Sequence, residues 1–105
     1  MQKWNNPKTD ALVKALLSIE NVAEGKKFLR DLMTEREIVE FGNRWKAARM
    51  LGEGNSYVRI EKKTGLSSTT IARVSKWLTN GMGGYKLVSN RLNHHSSSPP
   101  GKELR

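Results

Sequence analysis

The sequence predicts an all-α protein, and three observations support that fold class. Apolar residues recur at the three- and four-residue spacing of amphipathic helices along most of the chain. Helix-capping residues stand at the expected starts of these segments, and glycines stand at several of their ends. No segment alternates apolar and polar residues as a half-buried strand would.

Three helices are predicted in the first half of the chain. Asn6 before Pro7 favours a helix start, and that helix ends near Ile19. Asn21 is expected to cap a second helix. Thr34 and Glu37 have the spacing of a capping box and open a long third helix, which glycines end after Leu51. Its predicted apolar face comprises Ile38, Val39, Phe41, Trp45, Ala48, Met50 and Leu51.

The second half predicts two short helices around a glycine, followed by a last short helix. Ser56 caps a helix that runs to about Thr64, and Ser67 caps another over Ser68–Leu78. The segment Asn80–Gly84 breaks the helical pattern. Tyr85, Val88 and Leu92 then have helical spacing, and no apolar period follows. These features predict a flexible N-terminus over residues 1–8, one domain over 9–92 and a disordered tail over 93–105.

Composition restricts the functions that the chain can have. It contains no cysteine, so disulfides and thiolate metal sites are excluded. The sequence shows no signal peptide and no apolar run that would span a membrane, which makes the cytoplasm the expected location. We expect neither an enzyme, because no catalytic cluster is present, nor a metal or other cofactor. The net charge of +9 favours an anionic partner.

The positive charge is concentrated around the predicted helix pair. Within Arg59–Arg91 the only acidic residue is Glu61. The segment Tyr57–Lys76 also fits a helix-turn-helix, in which two short helices cross and pack on apolar residues with glycine at the turn. The inward positions are taken by Ile60, Leu66, Ile71 and Val74, with Gly65 at the turn. Glu61 departs from this motif, which usually has a small residue there.

A helix-turn-helix places the N-terminal residues of its second helix against base edges in the major groove. The residues predicted to face bases, here called the base-facing set, are Ser68, Thr69 and Ala72. The residues predicted to contact phosphates, here called the phosphate set, are Arg59, Lys62, Lys63, Arg73 and Lys76. The expected partner is double-stranded DNA. A protein that binds DNA in the cytoplasm would be associated with the nucleoid.

The apolar helices of the first half also predict a homodimer. A helix must cover its apolar face, and a chain of 105 residues has little core of its own to offer. A second copy related by a two-fold axis would supply that cover.

Several segments together resemble the Trp repressor family, and within it the short YerC/YecD-type branch. They are Leu32–Glu37, Arg44–Leu51, Gly54–Tyr57 and Thr64–Val74, and the resemblance extends over about Leu12–Leu92. It implies an intertwined helical homodimer in which each subunit presents a helix-turn-helix to one half-site of an operator. The function that it implies is repression of transcription.

The resemblance also implies a pocket for L-tryptophan, to which Thr34, Arg44 and Arg73 correspond. Two neighbouring positions depart from the family, because Val74 replaces a glycine and Trp77 replaces a serine. Larger side chains there leave less room, so we expect no tryptophan corepressor. Arg44 and Arg73 are then expected to pair with phosphates or across the subunit interface.

Three functions remain as alternatives to a DNA-binding repressor that needs no tryptophan. They are a tryptophan-responsive repressor, a replication-associated or protein-interaction module on the same fold, and RNA binding.

Overall fold

A computed structural model describes residues 2–97, with side chains described as far as His94. This part of the chain is helical and contains no strand, which confirms the all-α fold class. Its six helices are α1 (Pro7–Leu17), α2 (Val22–Leu32), α3 (Glu35–Gly52), α4 (Tyr57–Thr64), α5 (Ser68–Asn80) and α6 (Gly84–Ser97). None of these helices has the length and apolar character needed to cross a membrane.

The chain divides into two compact units between Ile38 and Val39, within α3. The N-terminal unit, residues 2–38, contains α1, α2 and the first turn of α3. Its helices start where the sequence predicts, because polar side chains accept hydrogen bonds from free backbone N–H groups. The Asn6 side chain accepts from Lys8 and Thr9, and the Asn21 side chain accepts from Glu24.

The start of α3 is a complete capping box. The Glu37 N–H donates to Thr34 Oγ1 at 3.1 Å, and the Thr34 N–H donates to Glu37 Oε1 at 2.9 Å. Local hydrogen bonds therefore fix the first turn of this helix.

The N-terminal unit has no fully buried residue among those described. Several of its large apolar side chains are well exposed, among them Leu17 at 80% and Val22 at 74%. Others, such as Phe28 and Leu29, are only partly covered. Local capping thus defines the helices of this unit, but burial contributes little to holding them together.

The C-terminal unit, from Val39 onward, contains the core. The buried apolar residues come from the end of α3, from α4, from the following turn and from α5; they are Ala47, Ala48, Met50, Ile60, Leu66, Ile71 and Val74. Leu51 and Tyr85 pack against this cluster while remaining partly exposed. Helices α3, α4 and α5 therefore share one core of mostly aliphatic side chains.

Helices α4 and α5 pack against each other across a short turn, residues 65–67, and this pair with its turn is here called the corner. Gly65 ends α4 in the left-handed region at φ 75°, where a side chain would be strained. Thr64, which is buried, donates through Oγ1 to the Ile60 carbonyl at 2.7 Å and accepts from the Leu66 N–H at 3.1 Å. The turn is thus held by a glycine conformation and a satisfied buried hydroxyl.

The structure differs from the sequence prediction at the ends of several elements. Residues 7 and 8, predicted as flexible, belong to α1, and α5 continues two residues past Leu78 to Asn80. Residues 93–97, predicted as disordered tail, belong to α6, where Asn93 Oδ1 accepts from Arg49 Nη2 at 2.8 Å. Nothing in this segment breaks a helix before the two prolines at 99 and 100. The rest of the predicted tail, residues 98–105, lies outside the described residues.

The predicted apolar face of α3 is only partly buried within the chain. Val39 and Phe41 are 63% and 46% exposed, whereas Ala47, which was not assigned to that face, is completely buried. The reason is that only the last turns of α3 contribute to the buried cluster, through Ala47, Ala48 and Met50.

Candidate nucleic-acid interface

The exposed side of the corner is formed by the first turns of α5. Ser67 caps this helix, because its Oγ accepts from the Thr70 N–H at 3.1 Å and donates to Thr70 Oγ1 at 3.1 Å. The hydroxyls of Ser67 and Thr70 are therefore both used inside the helix start. The inward side of the same turns carries Ile71 and Val74, which are completely buried.

The base-facing set lies on the opposite, exposed side of these turns. Ser68, Thr69 and Ala72 are all exposed, and their spacing of three and four residues puts them on one helix face. Within the described part of the chain, neither the Ser68 nor the Thr69 hydroxyl has a hydrogen-bond partner. Of the four hydroxyls at residues 67–70, the two predicted to contact a ligand are thus the two that the start of α5 does not use.

The phosphate set is exposed as well. Its five side chains are exposed, and none of them forms an ion pair with a described residue. They are Arg59, Lys62 and Lys63 on α4, with Arg73 and Lys76 on α5. Their charges are balanced on this stretch only by Glu61, which is partly buried. The two helices of the corner therefore carry five exposed cationic side chains, in addition to the neutral base-facing set.

Arg44 already has partners within its own chain. Its Nε donates to Glu40 Oε2 at 3.1 Å, so its charge is already paired within α3. Its guanidinium carbon also lies 5.4 Å from the centre of the Phe41 ring and 5.7 Å from the centre of the Trp77 indole. Arg44 thus joins α3 to α5 through cation–π contacts.

The residues that correspond to a tryptophan pocket have other uses here. Val74 is completely buried in the core, and Trp77 contacts Arg44 while remaining 42% exposed. Arg73 is exposed and does not form an ion pair with any described residue. Thr34, in the N-terminal unit, accepts the capping hydrogen bond at the start of α3.

Sequence reasoning missed an aromatic cluster in the C-terminal unit. Trp45 stacks on Tyr85 with ring centres 6.1 Å apart and an interplanar angle of 26°. The guanidinium of Arg49 lies 5.6 Å from the centre of the Trp45 ring. Burial raises the pKa of the Tyr85 phenol, and the charge of Arg44 partly opposes that rise. The four-residue spacing of Trp45 and Arg49 could have indicated their contact, but nothing local indicates the pairing with Tyr85.

The same cluster lines an apolar groove with a volume of about 730 Å³. Its walls come from α3, from the end of α5 and from α6; the lining residues are Trp45, Trp77, Gly81, Met82, Gly84, Tyr85, Val88 and Leu92. Gly81 is required where α5 ends, because a Cβ atom there would lie 2.4 Å from the Trp77 carbonyl oxygen. This groove is a second exposed feature of the C-terminal unit and is distinct from the cationic side of the corner.

Comparison with known proteins identifies the class of protein that this fold represents. Residues 7–93 match the Trp repressor protein family, so the chain belongs to the Trp repressor family. It is 37% identical over 92 residues to the uncharacterized protein YerC of Bacillus subtilis (strain 168), with 88% of each chain covered. This relative confirms the resemblance to the YerC-type branch.

Two crystal structures have the same fold. A TrpR-like protein from Eubacterium eligens ATCC 27750 superposes with a TM-score of 0.83 at 36% identity, covering 87% of this chain and 94% of that one. A candidate Trp repressor from Staphylococcus aureus gives a TM-score of 0.83 at 36% identity, covering 89% and 95%. Such a likeness at this identity supports a Trp repressor-like regulator.

The hydroxyls at the start of α5 should separate into one structural and one functional group. We expect Ser67→Ala to lower the free energy of unfolding by about 1 kcal/mol, because the cap of α5 is lost. The matched variant Ser68→Ala should change it by less than about 0.5 kcal/mol, since that hydroxyl has no partner in the fold. Urea unfolding followed by circular dichroism, at one protein concentration, measures both. Equal losses for the two variants would contradict this assignment.

Proposed function

We propose that this chain is a sequence-specific DNA-binding regulator of transcription, most simply a repressor, that acts as a homodimer through the corner. The observation that carries the proposal is the set of five exposed cationic side chains on α4 and α5, none of which forms an ion pair with a described residue. Unpaired cations attract the phosphate backbone, and their binding releases its counterions. Membership of the Trp repressor family supports the same function.

The geometry of α5 supports its role as the recognition helix. Its buried side fixes the helix against α4, and its exposed side begins with the base-facing set. A helix that inserts its N-terminal residues into the major groove needs this division between a packed side and a free side. The role is one of binding rather than catalysis, and its site of action would be the nucleoid in the cytoplasm.

Two exposed apolar features support a homodimer. The N-terminal unit has no described residue that is fully buried, and the C-terminal unit carries the open apolar groove beside Trp45 and Tyr85. Apolar surface of this kind is usually covered in solution. A second copy brings the same two features and would cover both in a closed two-fold assembly.

The environment of Arg44 supports regulation without tryptophan. The charge of Arg44 is already compensated within the chain, because its Nε–H donates to Glu40 and its guanidinium lies against two aromatic rings. The Trp77 indole already lies against its guanidinium. We therefore propose that DNA binding by this chain requires no L-tryptophan and no other cofactor.

The phosphate set should determine the salt dependence of DNA binding. Lys62→Ala is expected to weaken binding to all duplexes alike and to reduce the slope of log K against log salt by about one unit. Fluorescence anisotropy with a labelled duplex at several salt concentrations measures both effects. Lys14→Ala on α1 removes the same charge outside the phosphate set and should leave the slope unchanged. The same flattening in both variants, or in neither, would contradict the assignment.

The full chain should sediment as a dimer at micromolar concentration, with twice its mass of 11.9 kDa. Leu16→Glu places a charge among the exposed apolar residues of α1 and should shift the population to a poorly folded monomer. Val58→Glu is the control, because Val58 is 63% exposed on α4, outside both apolar features, and should stay dimeric. A well-folded monomer of the unmodified chain at this concentration would refute the proposed dimer.

L-tryptophan should give no saturable heat in calorimetry and no gain in DNA affinity. The reason is that Val74 and Trp77 fill the space and that Arg44 is already paired. The variant with Val74→Gly and Trp77→Ser removes both side chains, and recovery of binding there would show that they are the obstacle. Micromolar binding of tryptophan by the unmodified chain would overturn this part of the proposal and make the protein an amino-acid sensor.

A further inference from the structure

We infer that the base-facing set recognises the methyl groups of thymine, so that the specificity of this protein depends on C5-methyl groups in the major groove. The inference rests on the proposed function, because it names the base chemistry that the same surface would bind. At the exposed start of α5, the Ser67 and Thr70 hydroxyls are used by the helix cap, and the side chains of the base-facing set remain free to contact bases.

The first step concerns the side chains that are missing from this patch. Guanine is read best by arginine or lysine, adenine by asparagine or glutamine, and cytosine by a carboxylate. Ser68, Thr69 and Ala72 include none of these side chains. The patch therefore lacks the bidentate donors and acceptors that usually distinguish base pairs.

The second step concerns the groups that are present. The exposed patch offers two hydroxyls, on Ser68 and Thr69, and two methyl groups, on Thr69 and Ala72. A hydroxyl both donates and accepts, so it discriminates weakly between base edges. A methyl group is complementary to only one feature of the major groove, the C5-methyl group of thymine.

Two cationic side chains of the phosphate set lie further along α5 than the base-facing set. Arg73 follows Thr69 by one helical turn, and Lys76 follows Ala72 by one turn, so each lies about 6 Å further along the helix axis. A recognition helix enters the groove with its N-terminus, and its later turns lie nearer to the backbone. Arg73 and Lys76 are thus placed for phosphates, and the neutral patch is left for the bases.

The test uses the full chain and the duplex that it selects from a randomised pool. Replacing thymine by deoxyuridine removes only the C5-methyl group and keeps base pairing. We expect one or more thymines in each half-site at which this replacement weakens binding about fourfold, as expected for one buried methyl group. The effect should be about sixteenfold when both half-sites are replaced, if the two contributions are independent.

The protein side of the contact is tested with Thr69→Ser, which removes the methyl group and keeps the hydroxyl. This variant should lose the distinction between thymine and uracil at one position in each half-site. Thr79→Ser is the matched control on the same helix, because the Thr79 hydroxyl bonds to carbonyls of its own helix, and it should keep the full distinction.

The outcomes separate the inference from the proposed function. If no duplex is selected, the proposed DNA binding itself is wrong. If a duplex is selected and bound but deoxyuridine has no effect at any position, only the methyl inference is wrong. The inference also fails if Thr69→Ser and Thr79→Ser discriminate thymine from uracil equally.

Discussion

The scarcity of core is the constraint on which the rest of this structure depends. Among the described residues, the buried apolar side chains all lie between Ala47 and Val74, and they join the end of α3 to α4 and α5. Burial of this kind is the main source of stability in a small protein, and it is roughly proportional to the apolar area removed from water. The corner is therefore well supported within one chain. The N-terminal unit is not, because none of its described residues is fully buried and several of its leucines and valines are well exposed.

The packing of the corner also explains why its outer surface is available. Ile71 and Val74 are committed to the core, and the Ser67 and Thr70 hydroxyls are committed to the start of α5. Ser68, Thr69 and Ala72 remain exposed, and the two hydroxyls among them form no hydrogen bond with a described residue. Arg44 reinforces the arrangement by linking α3 to the Trp77 indole on α5. Arg44, which the family resemblance assigns to an amino-acid pocket, thus contacts an indole of the chain itself.

Local patterns made most of this fold predictable. The caps at Asn6, Thr34, Ser56 and Ser67 depend on residues within one helical turn, so the sequence alone indicates them. The inward positions of the corner follow from helical spacing around Gly65, and all four are buried. The stacking of Trp45 on Tyr85 was not predictable, because it joins residues that are far apart in the chain. The end of α6 is not predicted by the sequence, because residues 93–97 are polar and show no apolar period, although they continue the helix.

Binding of double-stranded DNA by this protein can be measured against RNA by a competition in one binding assay. A labelled random-sequence duplex is titrated with the full chain at several salt concentrations, with unlabelled single-stranded RNA of equal length as the competitor. We expect the protein to bind the duplex with an affinity that falls steeply as salt rises, and we expect the RNA to displace the duplex poorly. Displacement by RNA at equal concentration, or no binding of duplex at low salt, would contradict this expectation.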